Sequence, residues 1–400
     1  MRSKLISLRI YRRPFPRHLP FSALLLPALL CLTPRSQAQA DPPTRFSGEP
    51  SCSSSSCHGG AGEKRNQCFI VANRDFHSRS FATLTTARSA RIADNLKITD
   101  ATHNSRCTAC HAPFLTVPAA QLARAIDPTK GVSCENCHGP SENWLRAHTR
   151  PDFTHADRIR AGMRDLDNLY IRANGCVACH QNVDADMLKA GHPELIFELD
   201  GQTVTEPRHW REKPDWTGPK AWLVGQAVAL REMSWQLSRE TVFTENALSR
   251  WSALVWLLQS VGTLNGVLPA DATPASGTPT AKDAPHAQTW ADEVAKAAAA
   301  AQWPESSVHK SLKTLAGTSA SFRDHGVSPP FQARRAERLV IALDRLTLGL
   351  NDDKTAKRLD PPLKQLFKDA QSIPDFKPDQ FAAHLEDFQK ILVTPAEEKQ

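Results

Sequence analysis

The sequence predicts a mostly α-helical protein with irregular loops, in which a loop-rich region over residues 51–212 precedes an α-helical C-terminal bundle. Apolar stripes with long helical periodicity begin only after Pro214. Residues 51–212 are poor in such stripes but hold nine of the ten cysteines. We find no strand-rich segment anywhere, and the length of 400 residues fits two domains.

Residues 1–40 are predicted to be a signal peptide. A basic front precedes an apolar run at 21–32 and the small-x-small site Ala38-Gln39-Ala40. An uncleaved anchor is the alternative, although the run is shorter than the roughly 20 apolar residues that span a bilayer. The signal peptide predicts export to the periplasm. A polar leader is expected at 41–50, and the mature chain is expected to contain no integral membrane segment.

The net charge of +7 comes from that same segment. Without its seven basic residues, Lys+Arg and Asp+Glu both number 42. A nucleic-acid partner is therefore not expected, because the mature chain lacks the excess of positive charge that such binding requires.

Three pentapeptides carry the chemistry of the first region: CTACH at 107–111, CENCH at 134–138 and CVACH at 176–180. The C-x-x-C-H pattern attaches a c-type haem, since two thiols reach the vinyl groups and the next imidazole binds the iron. Zinc knuckles and thioredoxin-like pairs are the rival interpretations. Zinc does not require a His after every pair, and a redox pair has no reason to recur three times.

A further motif, CSSSSCH at 52–58, has a wider gap between its cysteines and is the first of the four in chain order, so that CTACH, CENCH and CVACH are the second, third and fourth. Small Ser residues can bulge while both thiols stay in reach, and Gly59 and Gly60 leave room for a flat macrocycle. The alternative is a Cys52–Cys57 disulfide in an exported loop. Cys68 receives no role. Four haem c groups are expected, attached through Cys52, Cys57, Cys107, Cys110, Cys134, Cys137, Cys176 and Cys179, with His58, His111, His138 and His180 as proximal ligands.

From Cys52 to about Trp210 the chain resembles the cytochrome c-552/4 group of multihaem c-type cytochromes. The resemblance rests on SCSSSSCHGG at 51–60, on GVSCENCHGP at 131–140 followed by Trp144 and His148, and on AGHP at 190–193. It implies electron transfer through closely stacked haems that are mostly held between two His. The extra C-terminal haem of some relatives is absent, because no Cys follows Cys179.

The remaining imidazoles of the region supply candidates for the sixth ligands. The resemblance implies His148 for the first haem and His77 for the third. His192 lies in a tight Gly-His-Pro turn and is expected to bind the iron of the fourth or the second haem. His103 and His209 compete for the iron that is left.

The chain after residue 212 is predicted to form a helical hairpin at 213–261, a flexible linker at 262–288 and a helical domain at 289–400. Gly, Pro, Thr and Ala dominate the linker, and Thr289 is expected to cap the helix that follows it. The strongest stripe runs from Ala336 to Leu350. No metal motif occurs in this half.

These features predict an exported multihaem c-type cytochrome that transfers electrons through mostly bis-His haems to redox partner proteins, membrane-bound ones among them. The tetrahaem domain would occupy residues 51–212, as short helices and loops wrapped around the haems. An electron carrier is favoured over an enzyme. The alternative is a multihaem oxidoreductase with one open-coordination haem that acts on a small nitrogen or sulfur compound, with Arg164, Asp165 and Asp167 as candidate acid–base groups.

Overall fold

The computed structural model describes residues 44–211, 213, 216–240, 243–261, 281–371 and 373–394. The predicted signal peptide and residues 262–280 of the predicted linker lie outside these ranges. Within them the chain is helix, turn and loop apart from an isolated parallel bridge between Phe46 and Leu122. The predicted mostly α fold with irregular loops is therefore confirmed. None of the helices in these ranges has the length and apolar character needed to cross a membrane.

The first half contains nine mostly short helices. They are α1 (Gln67–Arg74), α2 (Ser80–Thr83), α3 (Ala87–Asn95), α4 (Ser105–His111), α5 (Cys134–His138), α6 (His155–Arg160), α7 (Leu169–His180), α8 (Ala185–Ala190) and α9 (Leu199–Thr205). Polar side chains set their beginnings, since Thr86, Asn104, Asn168 and Asp184 each accept a backbone N–H in the first turn.

The second half contains longer helices. They are α10 (Pro219–Leu237), α11 (Glu245–Val261), α12 (Ala284–Ala300), α13 (Glu305–Ala316), α14 (Pro329–Leu348), α15 (Asp353–Ala370) and α16 (Pro378–Val393). Helix α12 begins five residues before the start expected at Thr289. Pro285 lies in its first turn, where a fixed φ and a missing N–H suit the helix.

The described residues form two hydrophobic clusters of very different size. Leu84, Ala93, Ala101 and Cys107 are the buried members of the small one. The large one joins α10–α16 and includes the fully buried Trp222, Trp251 and Trp290. The first half therefore buries little apolar area of its own.

Helix α7 belongs to the large cluster although it precedes residue 212. Its Leu169, Ala173 and Val177 are buried there, and Tyr170 donates its hydroxyl to Asp292 of α12 at 2.6 Å. One core thus extends from α7 to α16. The predicted division at residue 212 stays a prediction, which limited proteolysis of haem-free protein tests.

Candidate haem-binding site

The three C-x-x-C-H pentapeptides lie on α4, α5 and α7, and each helix ends at the His of its motif. On a helix, positions i, i+3 and i+4 share one face, so both thiols and the imidazole point the same way.

In α5 the acid inside the motif is buried. The Glu135 carboxylate accepts backbone N–H groups from Ser47, Gly48 and Ser141 at 3.0, 2.6 and 2.8 Å. It thereby joins the third motif to the start of the described chain.

The candidate motif at 52–58 is a compact loop. The N–H of His58 donates to the Cys52 carbonyl at 3.1 Å, which brings the backbone of the last residue of the motif back to that of the first. A Cβ on Gly59 would lie 1.9 Å from the Ser53 carbonyl oxygen, so only glycine fits this approach. Both Cys52 and Cys57 carry free thiols.

Two of the four proximal imidazoles have a second imidazole at a short distance. The ring centroids of His58 and His148 are 6.2 Å apart with an interplanar angle of 12°. Those of His180 and His77 are 5.8 Å apart at 86°. A metal–imidazole bond of about 2 Å puts each centroid roughly 3 Å from the metal, so two rings on opposite sides have centroids about 6 Å apart. Both pairs have the spacing that one shared iron requires.

The other two proximal imidazoles also have an imidazole neighbour that affects their charge. Burial, together with repulsion from His209, lowers the pKa of His138 to about 4. Burial likewise lowers the pKa of His111, and His192 contributes to that shift. Both proximal rings are therefore neutral at pH 7, which is the protonation state that binds a metal.

These neighbours bear on three expectations, which stay predictions. His77, expected opposite His138, lies against His180. His192 affects the pKa of His111, and His209 affects the pKa of His138. His103 is instead 80% exposed, and its Nδ1 lies 2.7 Å from Asp100.

The four distal candidates share a hydrogen-bond pattern at Nδ1. This atom lies 3.0 Å from an Asp75 carboxylate oxygen in His77, and within 3.2 Å of a backbone carbonyl oxygen in His148, His192 and His209. A metal-binding imidazole uses one nitrogen for the metal and donates from the other, so this arrangement leaves Nε2 for a metal. In His155 it is Nε2 that lies 3.3 Å from Asp165.

The attachment thiols of different motifs are neighbours. The thiols of Cys52 and Cys134 interact, which links the first motif to the third, and those of Cys110 and Cys179 interact, which links the second to the fourth. Cys137 and Cys176 interact electrostatically, which links the third to the fourth. The buried Cys68 also interacts with Cys134. Its position beside two candidate attachment thiols was missed, because ten residues of loop and helix lie between Cys68 and the nearest motif cysteine, Cys57.

The region carries large apolar side chains on its surface. Phe76 is 80% exposed, Phe69 58% and Val204 55%. Phe76 directly precedes His77, and Val204 lies two turns from the Glu198 cap of α9. A region with few buried apolar residues and several exposed ones beside paired imidazoles suits an apolar macrocycle that packs against them.

The candidate acid–base groups of the enzyme alternative have other partners. Asp165 lies beside His155, and Asp167 pairs with Lys213. The Arg164 guanidinium donates to the carbonyl oxygens of Asn136 and Cys137 in the third motif. Asp75 was not anticipated, although its place two residues before a candidate ligand is the signal that could have found it.

The donor set therefore fits haem c: paired thiols, a proximal imidazole after each pair and a distal imidazole near each proximal one. Comparison with known families agrees, since residues 51–139 match the family model of cytochrome c554 and c-prime. This match supports a c-type cytochrome with covalently bound haem c and a role in electron transfer. No curated protein and no solved structure matches the chain.

Proposed function

We propose that this chain is an exported tetrahaem c-type cytochrome that carries electrons through haems held between two imidazoles. The observation that carries the proposal is the pairing of imidazoles. The ring centroids are 6.2 Å apart in His58 and His148 and 5.8 Å apart in His77 and His180. Six-coordinate haems exchange electrons without binding a substrate, and a bound haem c supplies the ferric/ferrous couple.

Each motif receives one proximal and one distal ligand in this proposal. The pairs are His58 with His148, His111 with His192, His138 with His209 and His180 with His77. The thiols hold the macrocycle, and the hydrogen bonds at Nδ1 fix the orientation of the distal rings. Ligation by two His favours lower potentials than ligation by His and Met, and Met163 and Met187 are the only methionines between residues 51 and 212.

The thiol contacts support an order for the haems that differs from the order of the motifs in the chain. They link the first motif to the third, the third to the fourth and the fourth to the second. An electron would enter at one end of this series and leave at the other, to redox proteins on either side. The sequence of residues 1–40 and the maturation of c-type haems outside the cytoplasm both favour a periplasmic location.

Haem stoichiometry and spin state test the proposal. We expect the intact mass of the mature protein to include four haems, and the ferric spectrum to be low-spin throughout. If the mass corresponds to three haems, the motif at 52–58 does not attach a haem, and its disulfide alternative is favoured. A high-spin fraction that shifts when cyanide or nitric oxide is added would favour the oxidoreductase.

A Met substitution tests one ligand pair directly. H148M should raise the potential of one haem and leave all four attached, because thioether ligation favours the ferrous state. H103M is the matched control, since His103 is exposed and hydrogen-bonded to Asp100. Unchanged potentials in H148M would exclude His148 as a ligand.

A further inference from the structure

We propose that the helical half of the protein holds the segment 190–200 so that His192 stays on the iron of the second haem. This inference rests on the proposed function, which makes His192 the distal partner of His111. The C-terminal helices would then position a ligand of the redox site. The positioning residues are Glu194, Arg250 and Arg334.

Two arginines of the helical half meet one carboxylate next to His192. The guanidinium of Arg250 on α11 lies 2.7 Å from Glu194, and that of Arg334 on α14 also lies 2.7 Å from it. Both arginine side chains are nearly buried, at 6% and 9% exposed. Glu194 is two residues from His192, so this pair of contacts fixes the backbone directly after the ligand.

Further contacts continue along the same segment. Arg250 also donates to the Leu195 carbonyl, and Arg338 of α14 donates to the Phe197 carbonyl at 3.2 Å. Phe197 and Leu199 are fully buried in the large core. The segment that follows His192 is therefore attached to the helical half through charge, backbone hydrogen bonds and apolar packing.

The residues before His192 are held from the opposite side. Asn95 and Arg88 of α3 donate to the carbonyl oxygens of Ala190 and Gly191 at 3.0 and 3.1 Å. Gly191 itself has a φ of 106°, a left-handed conformation that favours glycine and turns the chain at the end of α8. His192 thus lies between two attachments.

Within the part of the chain that the structure describes, the imidazole of His192 makes a local hydrogen bond. Its Nδ1 lies 2.8 Å from the Pro193 carbonyl oxygen, which belongs to the same turn. The position of the ring therefore depends on the position of the backbone at His192. Without the Glu194 carboxylate, Arg250 and Arg334 would repel each other in a site with little water, and we expect the turn to move.

The ferric spin state of the haem-loaded full chain tests this role. H192A provides the reference, and we expect it to convert one haem per chain to high spin. E194Q should produce the same high-spin signal in part, and added imidazole should return it to low spin in both variants. A merely structural loss would affect the melting temperature without a signal that imidazole reverses.

E337Q is the matched control. Glu337 accepts from the same Arg334 at 3.1 Å but lies on α14, outside the segment 190–200. We expect E337Q to remain fully low-spin even where it lowers the melting temperature. A high-spin signal in E337Q equal to that of E194Q would overturn the inference, because general destabilisation would then explain both.

The remaining outcomes separate the two proposals. High spin in H192A together with a fully low-spin E194Q would overturn the positioning role and leave the ligand assignment intact. Low spin in H192A would overturn the ligand assignment and the inference with it. If E194Q does not accumulate, R250K replaces it, because lysine keeps the positive charge but loses the forked contact with Glu194 and Leu195. A smaller high-spin signal that imidazole reverses would support the inference. The absence of that signal would overturn it.

Discussion

The carboxylate of Asp75 and the imidazole of His77 form the most strongly polarised hydrogen bond among the distal candidates. That bond raises the pKa of His77, although burial opposes the shift, and Asp75 itself is buried. A carboxylate on Nδ1 makes a metal-bound imidazole more electron-donating, and this favours the ferric iron.

We therefore expect D75N to raise the potential of one haem by on the order of 60 mV, which corresponds to a tenfold change for a one-electron couple. A spectroelectrochemical titration measures the shift. D100N is the control, because Asp100 forms the same kind of bond with the exposed His103. Equal shifts in both variants would contradict the ligand role of His77.

The thiols and proximal imidazoles could be identified from the sequence because their spacing is local. The partner of each distal imidazole could not, because it depends on how distant loops meet. His77 and His180 are 103 positions apart and come together only through the fold. Asp75 and Glu135 were missed for a related reason, since the contacts that give them a role lie outside the cysteine motifs.

At the scale of elements, helix propensity and periodicity predicted most of the second half. The predicted hairpin at 213–261 corresponds to α10 and α11, and the stripe from Ala336 to Leu350 lies mostly on α14. Helix α15 was not predicted, since Pro361 and Pro362 lie inside it and proline ordinarily interrupts a helix.

Helix α9 has a buried acid in its first turn, and this makes stability depend on pH. Burial raises the pKa of Asp200 to about 6, although its hydrogen bond from Gly218 and the nearby Arg345 oppose the shift. The folded state therefore keeps a proton that the unfolded chain loses near pH 4. The contribution of Asp200 to the free energy of unfolding is then largest below about pH 4 and is lost as the pH rises through about 6.

We expect D200N to remove that decline, which is worth up to about 3 kcal/mol. Urea unfolding of the haem-loaded protein between pH 4 and 7.5 measures it. D186N removes an exposed carboxylate from the neighbouring α8 and should keep the decline. Parallel pH curves for D200N and the unsubstituted protein would contradict the role of Asp200.

At the scale of the whole molecule, the two hydrophobic clusters imply two different dependences on haem. The large cluster of α7 and α9–α16 buries its side chains among protein atoms alone, whereas the small cluster has four buried residues. A region with so little apolar burial requires another source of stability, as small metal-dependent domains do.

Replacing all eight attachment cysteines by Ser should therefore leave the helical half folded and the region before α7 open to protease. We expect limited proteolysis and mass spectrometry to give a resistant fragment that begins close to Leu169. A fragment that begins after residue 212 would instead support the predicted domain division. Complete digestion would show that the large core also depends on haem, and the haem-loaded protein is the control.

The linkage of the motifs through their thiols has a consequence for how the proposed series of four haems is completed during synthesis. The ribosome makes the second motif early and the fourth last, yet the fourth lies between the second and the third in space. A nascent chain that ends before Cys176 would contain three attachment sites, but the series of haems would have a gap between the second and the third. Conduction from end to end would begin only when α7 has been made and has docked on the helices that follow it.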